Sequence, residues 1–371
     1  MKITCNQQTL SKALNTVSKA VSSRTTIPIL KGILIKAESD NSLTLSATDL
    51  DLSIDKKIDV SVESPGSTVV SAKLFLDIIK KLPNNEIEIE EIENNNIVIR
   101  CLASEFVIVG QSAEEFPNMG EVDMEKQISI DKEIFKDMIK RTSFSASIDE
   151  GKGIITGVLI EMTNESLNMV ALDGFRMAVT KEPIKSEEEK NIIISARILN
   201  EINKIISDTA DNENISLILD EKKAVCLLDG TKVVLRLMDG EFIKYKSIIP
   251  QEHKTTIKVN KMDLLNSIER ASILSKEGSN NLIKINITGD KMIITSRSEE
   301  GNVKEEVFID KEGEDLEIGF NSKYISDALK VISDEEILLE FNNSVSPCLI
   351  KPLEGSDFIY LVLPVRISAN Y

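Results

Sequence analysis

The residues of this chain best spaced to do chemistry are basic. Lys73 and Lys80, Arg197 and Lys204, and Lys323 and Lys330 form three pairs, each seven residues apart. Seven residues is two turns of α-helix less about 20°, so each pair lies along one stripe if its segment is helical. A stripe of Lys and Arg presented three times suits a repetitive polyanion, attracting phosphates without reading base edges. A helix of about 12 residues spans about 18 Å, enough to bridge phosphates across a groove. A solvated helix face accounts for any one pair, but not for the shared register of all three. Other segments add to the pattern less regularly: Lys12 and Lys19 stand seven apart, Lys136 and Lys140 four apart, and Arg141 takes the register of Arg270. Acids at Asp77, Asp137, Glu201, Glu269 and Asp327 interrupt these faces.

Other chemistries find little support. Cys5, Cys101, Cys226 and Cys348 are far apart, form no C-x-x-C pair and do not neighbour His253, the single histidine. A zinc site or Cys/His nucleophile is therefore not expected, and the thiols read as reduced and at least half-buried. No metal or cofactor is expected. The fragment Asp173-Gly174-Phe175-Arg176 is a weak likeness of a phosphate or sugar site, and no partnered base, nucleophile elbow or Gly-rich phosphate loop accompanies it. It reads as a turn. Between the two non-enzymatic readings, a scaffold binding only peptides has no need of aligned basic stripes, whereas a polyanion binder has.

The net charge of −17 runs against a nucleic-acid partner unless the positive charge is gathered on one face. Acids cluster elsewhere, at 86–93, 187–189 and 312–317, where they would repel a polyanion. With 42% hydrophobic and 28% charged residues, the chain has no apolar run of the roughly 18 residues a membrane span requires. Its first residues, Met1-Lys2-Ile3-Thr4, lack the apolar core of a signal peptide. A cytoplasmic protein without membrane contact is expected.

The elements that must position the basic pairs repeat threefold. One unit is a short strand, a capping residue and an amphipathic helix. It runs Ile3-Thr4-Cys5-Asn6 with Leu10, Leu14 and Val17, ending at Ser18. It recurs as Ile128-Ser129-Ile130-Asp131 with Phe135, Ile139 and Thr142, ending at Ser143, and as Ile257-Lys258-Val259-Asn260 with Leu264, Ile268 and Ala271, ending at Ser272. Asn6, Asp131 and Asn260 stand where a side-chain oxygen caps the helix. The second unit carries the basic pairs: Val70-Ser71-Ala72-Lys73, Ile194-Ser195-Ala196-Arg197 and Phe320-Asn321-Ser322-Lys323. Period-2 strands such as Leu43-Thr44-Leu45-Ser46-Ala47, Leu167-Asn168-Met169-Val170-Ala171 and Met292-Ile293-Ile294-Thr295-Ser296 fill the intervals. The fold class is α+β, in three repeated domains of two helices against sheets, spanning 1–120, 126–250 and 255–371.

With these repeats in place, the chain resembles the bacterial DNA sliding clamps, the beta subunits of DNA polymerase III, along almost its whole length. The resemblance rests on Arg24-Thr25-Thr26-Ile27-Pro28-Ile29-Leu30, on Val170-Ala171-Leu172-Asp173-Gly174-Phe175-Arg176-Met177, on Asp239-Gly240-Glu241-Phe242 leading to Tyr245, and on Tyr360-Leu361-Val362-Leu363-Pro364-Val365-Arg366-Ile367. It implies a non-catalytic processivity factor, a head-to-tail homodimer whose six clamp-type domains close into a ring around duplex DNA. It further implies a dimer contact through Phe106 and Ile108 on one side and Ile273 and Leu274 on the other, and DNA contact at Arg24 and Lys73. The implied partners are the polymerase III catalytic subunit, the clamp loader and other replication and repair proteins. Their short linear motifs would enter a pocket walled by Ile155, Leu172, Gly174, Phe175, Arg176 and Met177, by Ile243, Ser247 and Ile248, and by Val345, Pro347, Leu361, Val362, Leu363, Pro364, Val365 and Arg366. Two departures stand out. The loop 147–154 carries Asp149, Glu150, Gly151, Lys152 and Gly153 where relatives place amide and aromatic side chains against DNA. Ile243 and Ser247 replace a more familiar proline and arginine.

Overall fold

The computed structural model describes residues 1–22, 25–118, 127–184, 189–208, 214–220, 222–277 and 281–367. Arg24 lies outside these, as do residues 121–125 between the first two expected domains and residues 368–371.

Each expected helix forms: α1 Gln7–Val17, α2 Ala72–Lys81, α3 Lys132–Thr142, α4 Ala196–Ser207, α5 Lys261–Glu277 and α6 Ser322–Val331. The first-unit caps work as their residue types predict. Asn6 accepts from the N–H groups of Gln8 and Thr9, Asp131 from Glu133, and Asn260 from Met262 and Asp263. In the second unit Asn321 caps α6 through the Lys323 N–H. Ser71 makes no such bond at α2; it is exposed, and water can satisfy the first-turn donors instead. α5 overruns its expected end at Ser272 and continues to Glu277.

The chain divides into two compact units, Met1–Glu133 with Glu201–Leu237, and Ile134–Asn200 with Met238–Tyr371. The first holds a five-stranded sheet and a nine-stranded one, and in the latter Leu52–Asp59 pairs with Thr231–Arg236. The second holds a four-stranded sheet and a nine-stranded one, in which Arg176–Pro183 pairs with Phe358–Val362. In each unit, then, the large antiparallel sheet runs from one sequence repeat into the next.

Burial follows the sheets' two faces. Leu282–Thr288 alternates, with Ile283, Ile285 and Ile287 buried, as a strand with one covered face must. Ser166–Leu172 is buried on nearly every residue because both its faces are covered. Val170 and Leu172 join a cluster with Leu159, Met177, Ile193, Tyr245, Leu349 and Leu361, over which Met238, Phe242 and Ile249 pack. Ala178, Tyr360 and Val362 belong instead to the core built around α5 and α6. All four cysteines are buried and unbridged, and burial pushes the Cys5 and Cys226 thiols up to about 12. Among the described residues no helix is long and apolar enough to cross a membrane.

Candidate functional site

The basic pairs of the second-unit helices are exposed as their register requires. α2 buries Ala72, Phe75, Ile78 and Ile79, which leaves Lys73 and Lys80 on its solvent side with no ion pair among the described residues. Lys12 and Lys140 are likewise exposed and unpaired among those residues, Lys136 is half-buried, and Arg197 is exposed. Other members are already matched by acids. Lys204 bonds Glu201 at 2.8 Å, Lys323 reaches Asp327 and Lys330 reaches Glu269 at 2.9 Å, with these lysine side chains 52–62% exposed. Exposed pairs of this kind are worth about 0–1 kcal/mol, so a phosphate can displace the carboxylate at little cost. Lys19 differs: it is 16% exposed and bonded to Asp208 at 2.7 Å.

The implied pocket residues all lie in the second unit and divide among several settings. Leu172, Met177 and Leu361 are buried in the outer apolar cluster, with Ile155 and Leu363 packed half-buried against it. The turn between Ser166–Leu172 and Arg176–Pro183 forms one rim. Asp173 Oδ1 accepts from the N–H groups of Phe175 and Arg176, and Gly174 takes φ +95°, a conformation that favours glycine. Phe175 is 54% exposed and stacks on Tyr324 at 6.2 Å, and its carbonyl accepts from the Leu363 N–H at 2.9 Å. Val345, Pro364, Val365 and Arg366 line a hollow of about 580 Å³ with Glu317, Gly319, Ser344 and Ile367. Pro347, two residues after Val345, is half-buried, Ile248 is exposed, and Val362 belongs to the core around α5 and α6.

Arg176 is held more firmly than a pocket wall needs to be. Its guanidinium donates to Asp173 at 3.1 Å, to Asp327 at 2.6 Å and to the Phe144 carbonyl at 2.8 Å. Its Cζ also lies 4.7 Å from the centre of the Tyr324 ring and 5.4 Å from that of Phe144. The side chain is 10% exposed, so these partners replace the water it has lost. It fixes the Asp173–Phe175 turn against α6. Asp327 Oδ2 accepts from both Arg176 and Lys323, so the rim and the basic stripe of α6 share one carboxylate.

A second hollow, of about 600 Å³, lies beside the segment 240–247. Leu159 and Ile193 give it apolar surface; Glu161, Asn191, Lys244 and Lys246 add polar groups. Ile243 and Ser247, implied members of the peptide pocket, line this hollow. Burial pushes the Glu161 carboxyl up, but hydrogen bonds from Lys246, Asn168 and Tyr245 outweigh it and hold the group below its ordinary value. In the loop 147–154, Asp149 caps the turn at Gly151, Ile148 is fully exposed, and Lys152 sits 5.8 Å from the Phe175 ring.

Tyr324, Asp327 and Phe144 are site-forming residues that the spacing of basic residues did not bring out. One signal was present. Tyr324 occupies the position held by Leu74 and Ile198 in the other two repeats, an aromatic where the pattern is otherwise aliphatic.

The implied dimer residues are placed as follows. Phe106 and Ile108 lie on Ser104–Val109, the edge strand of the five-stranded sheet, Phe106 exposed and Ile108 buried. Leu102, Val107 and Val109 are also exposed there. On α5, Ile273 is 66% exposed and Leu274 half-buried.

Comparison with known proteins gives one consistent result. The family models for the N-terminal, central and C-terminal domains of the DNA polymerase III beta subunit match residues 1–120, 129–244 and 246–366. The beta sliding clamp of Bacillus subtilis is 37% identical, across 99% of this chain and 100% of its own. The crystal structure of the DNA polymerase sliding clamp from that organism superposes with a TM-score of 0.95 at 36% identity, covering 99% of this chain and 100% of the other. A Pseudomonas aeruginosa sliding clamp solved with griselimycin bound gives 0.93 at 26% identity, over 99% and 100% of the two chains.

Proposed function

The chain belongs to the DNA polymerase III beta-subunit family of sliding clamps, and from that membership we propose how its own residues do the work. The protein is a processivity factor, a non-catalytic subunit that keeps DNA polymerase III on its template. Duplex DNA passes through a ring of six clamp domains, three from each of two head-to-tail copies, with boundaries near 1–120, 126–250 and 255–371. A heterologous contact that closes by rotation has this symmetry. The exposed apolar edge Ser104–Val109 supports one side of that contact, since such an edge invites pairing, and the exposed Ile273 supports the other.

The observation that carries the DNA reading is the exposure of Lys73 and Lys80, Arg197 and Lys204, and Lys323 and Lys330 at one register on α2, α4 and α6. Lys12, Lys136 and Lys140 are further basic residues of this reading; Lys19 contributes least, being tied to Asp208. Contacts of this type are sequence-independent and weaken steeply with salt, so retention comes from encirclement. The polymerase III catalytic subunit, the clamp loader and other replication and repair proteins dock through short linear motifs on the apolar cluster around Leu172, Met177, Leu361 and Leu363. The Pseudomonas aeruginosa clamp with griselimycin supports ligand binding on this fold. The place of work is the cytoplasm.

Light scattering of the purified full-length chain tests the assembly. The expected mass is twice that of one chain at micromolar concentration, and a monomer at all concentrations would rule out a six-domain ring.

A further inference from the structure

We propose that the hollow beside 240–247 is an accessory peptide site, where a second stretch of a docked partner adds as a strand to the sheet edge Lys190–Ser195 and buries an apolar side chain. The inference rests on the peptide-pocket reading and extends it.

Among the described residues Lys190–Ser195 is the outermost strand of its nine-stranded sheet and pairs only with Gly157–Met162. The Ile193 carbonyl accepts from the Met238 N–H at 2.8 Å, so Ile193 directs its backbone groups away from the sheet. Asn191, two residues earlier, must do the same. Met238 therefore occupies this edge opposite Ile193, and among the described residues nothing pairs with it at Asn191. The N–H and C=O of Asn191 and the N–H of Ile193 have no partner among the described residues. An extended peptide can supply the partners of Asn191, beyond the point that Met238 occupies, which is how a strand joins an open sheet edge.

The same two residues line the hollow, so a strand placed on the edge has its alternate side chains beside the cavity. The chemistry of the hollow selects among side chains. Glu161 is 14% exposed and already accepts from Asn168 and Tyr245 at 2.9 Å and from Lys246 at 3.0 Å. Glu161 is thus already satisfied, and the other charges of the hollow, Glu241 against Lys244 and Lys246, favour neither sign. Leu159, Ile193 and Phe242 leave apolar surface for a neutral aliphatic or aromatic side chain. Leu159 and Ile193, which line this hollow, belong to the same apolar cluster as Leu172, Met177 and Leu361, on which Leu363 packs, so the occupant is a continuation of the peptide anchored there rather than a separate ligand.

The test uses full-length protein and the polymerase III catalytic subunit as the probe, with affinity read by surface plasmon resonance. Asn191→Pro removes the outward N–H and leaves the ladder to Gly157–Met162 intact; Asn191→Trp fills the hollow and leaves the backbone unaltered. Each is expected to weaken binding about tenfold, and amide exchange at 191–193 is expected to slow in the wild-type complex. Wild-type affinity in both variants, or unchanged exchange on binding, overturns the proposal. Leu363→Glu, measured alongside, reports on the main pocket separately, so failure of the accessory site and failure of the pocket give different patterns.

Discussion

Leu363→Glu is expected to weaken binding of the polymerase III catalytic subunit at least a hundredfold, about 3 kcal/mol, without unfolding the protein. Leu363 is half-buried, follows the sheet strand Phe358–Val362 and packs on the apolar cluster from its open side. Its backbone N–H bonds the Phe175 carbonyl, which the substitution leaves in place. In the free protein the new carboxylate can stay in water. A docked apolar side chain would take it out of water, and a charge is far more costly to bury than a methyl group. Met177 lies in the same cluster but is 3% exposed, so a charge there would disrupt folding before it reported on binding. Unchanged affinity of Leu363→Glu, with a wild-type circular dichroism spectrum, would remove the pocket from its assigned place.

Charge reversal at Lys73, Arg197 and Lys323 together is expected to reduce loading onto DNA more than tenfold at low salt while the chain stays dimeric. Each reversal replaces attraction to a phosphate by repulsion, and the three positions sit at one register on α2, α4 and α6. The deficit should narrow as salt rises, because the wild-type advantage is electrostatic and screened over about 10 Å at 0.1 M. Lys323 needs a control, since it shares Asp327 with Arg176. A Lys323→Gln variant keeps the Arg176–Asp327 bond and separates loss of DNA contact from disturbance of the pocket rim. Equal loading of the triple variant and wild type across the salt range would leave the stripes without a role in DNA contact.

What could be read from the sequence was local. Asn6, Asp131 and Asn260 announced their helices because a cap acts on N–H groups two or three residues away. The three basic pairs were legible for the same reason, since helical register is a property of one segment. The end of α5 was not: nothing between Ser272 and Glu277 breaks a helix, and the next glycine is Gly278. Arg176 shows the larger limit. Its partners Phe144 and Asp327 stand 32 and 151 residues away, and no spacing rule joins them. The sheets that run from one repeat into the next were equally hidden in the residues, because strand neighbours such as Arg176–Pro183 and Phe358–Val362 are chosen by tertiary packing. Resemblance supplied the membership of the proposed pocket, and its members differ in setting: Phe175 is exposed, Leu363 half-buried against the cluster of Leu172 and Met177, and Arg176 holds the turn beside them.

The central claim is that this protein holds DNA by surrounding it. The most direct test is to load it onto nicked circular DNA, remove free protein, and compare its lifetime on the circle with its lifetime after the circle is cut to a linear form. Encirclement predicts long retention on the closed circle and rapid loss from the free ends once it is cut, at salt high enough to suppress direct phosphate contacts. Equal lifetimes on the two forms would contradict it.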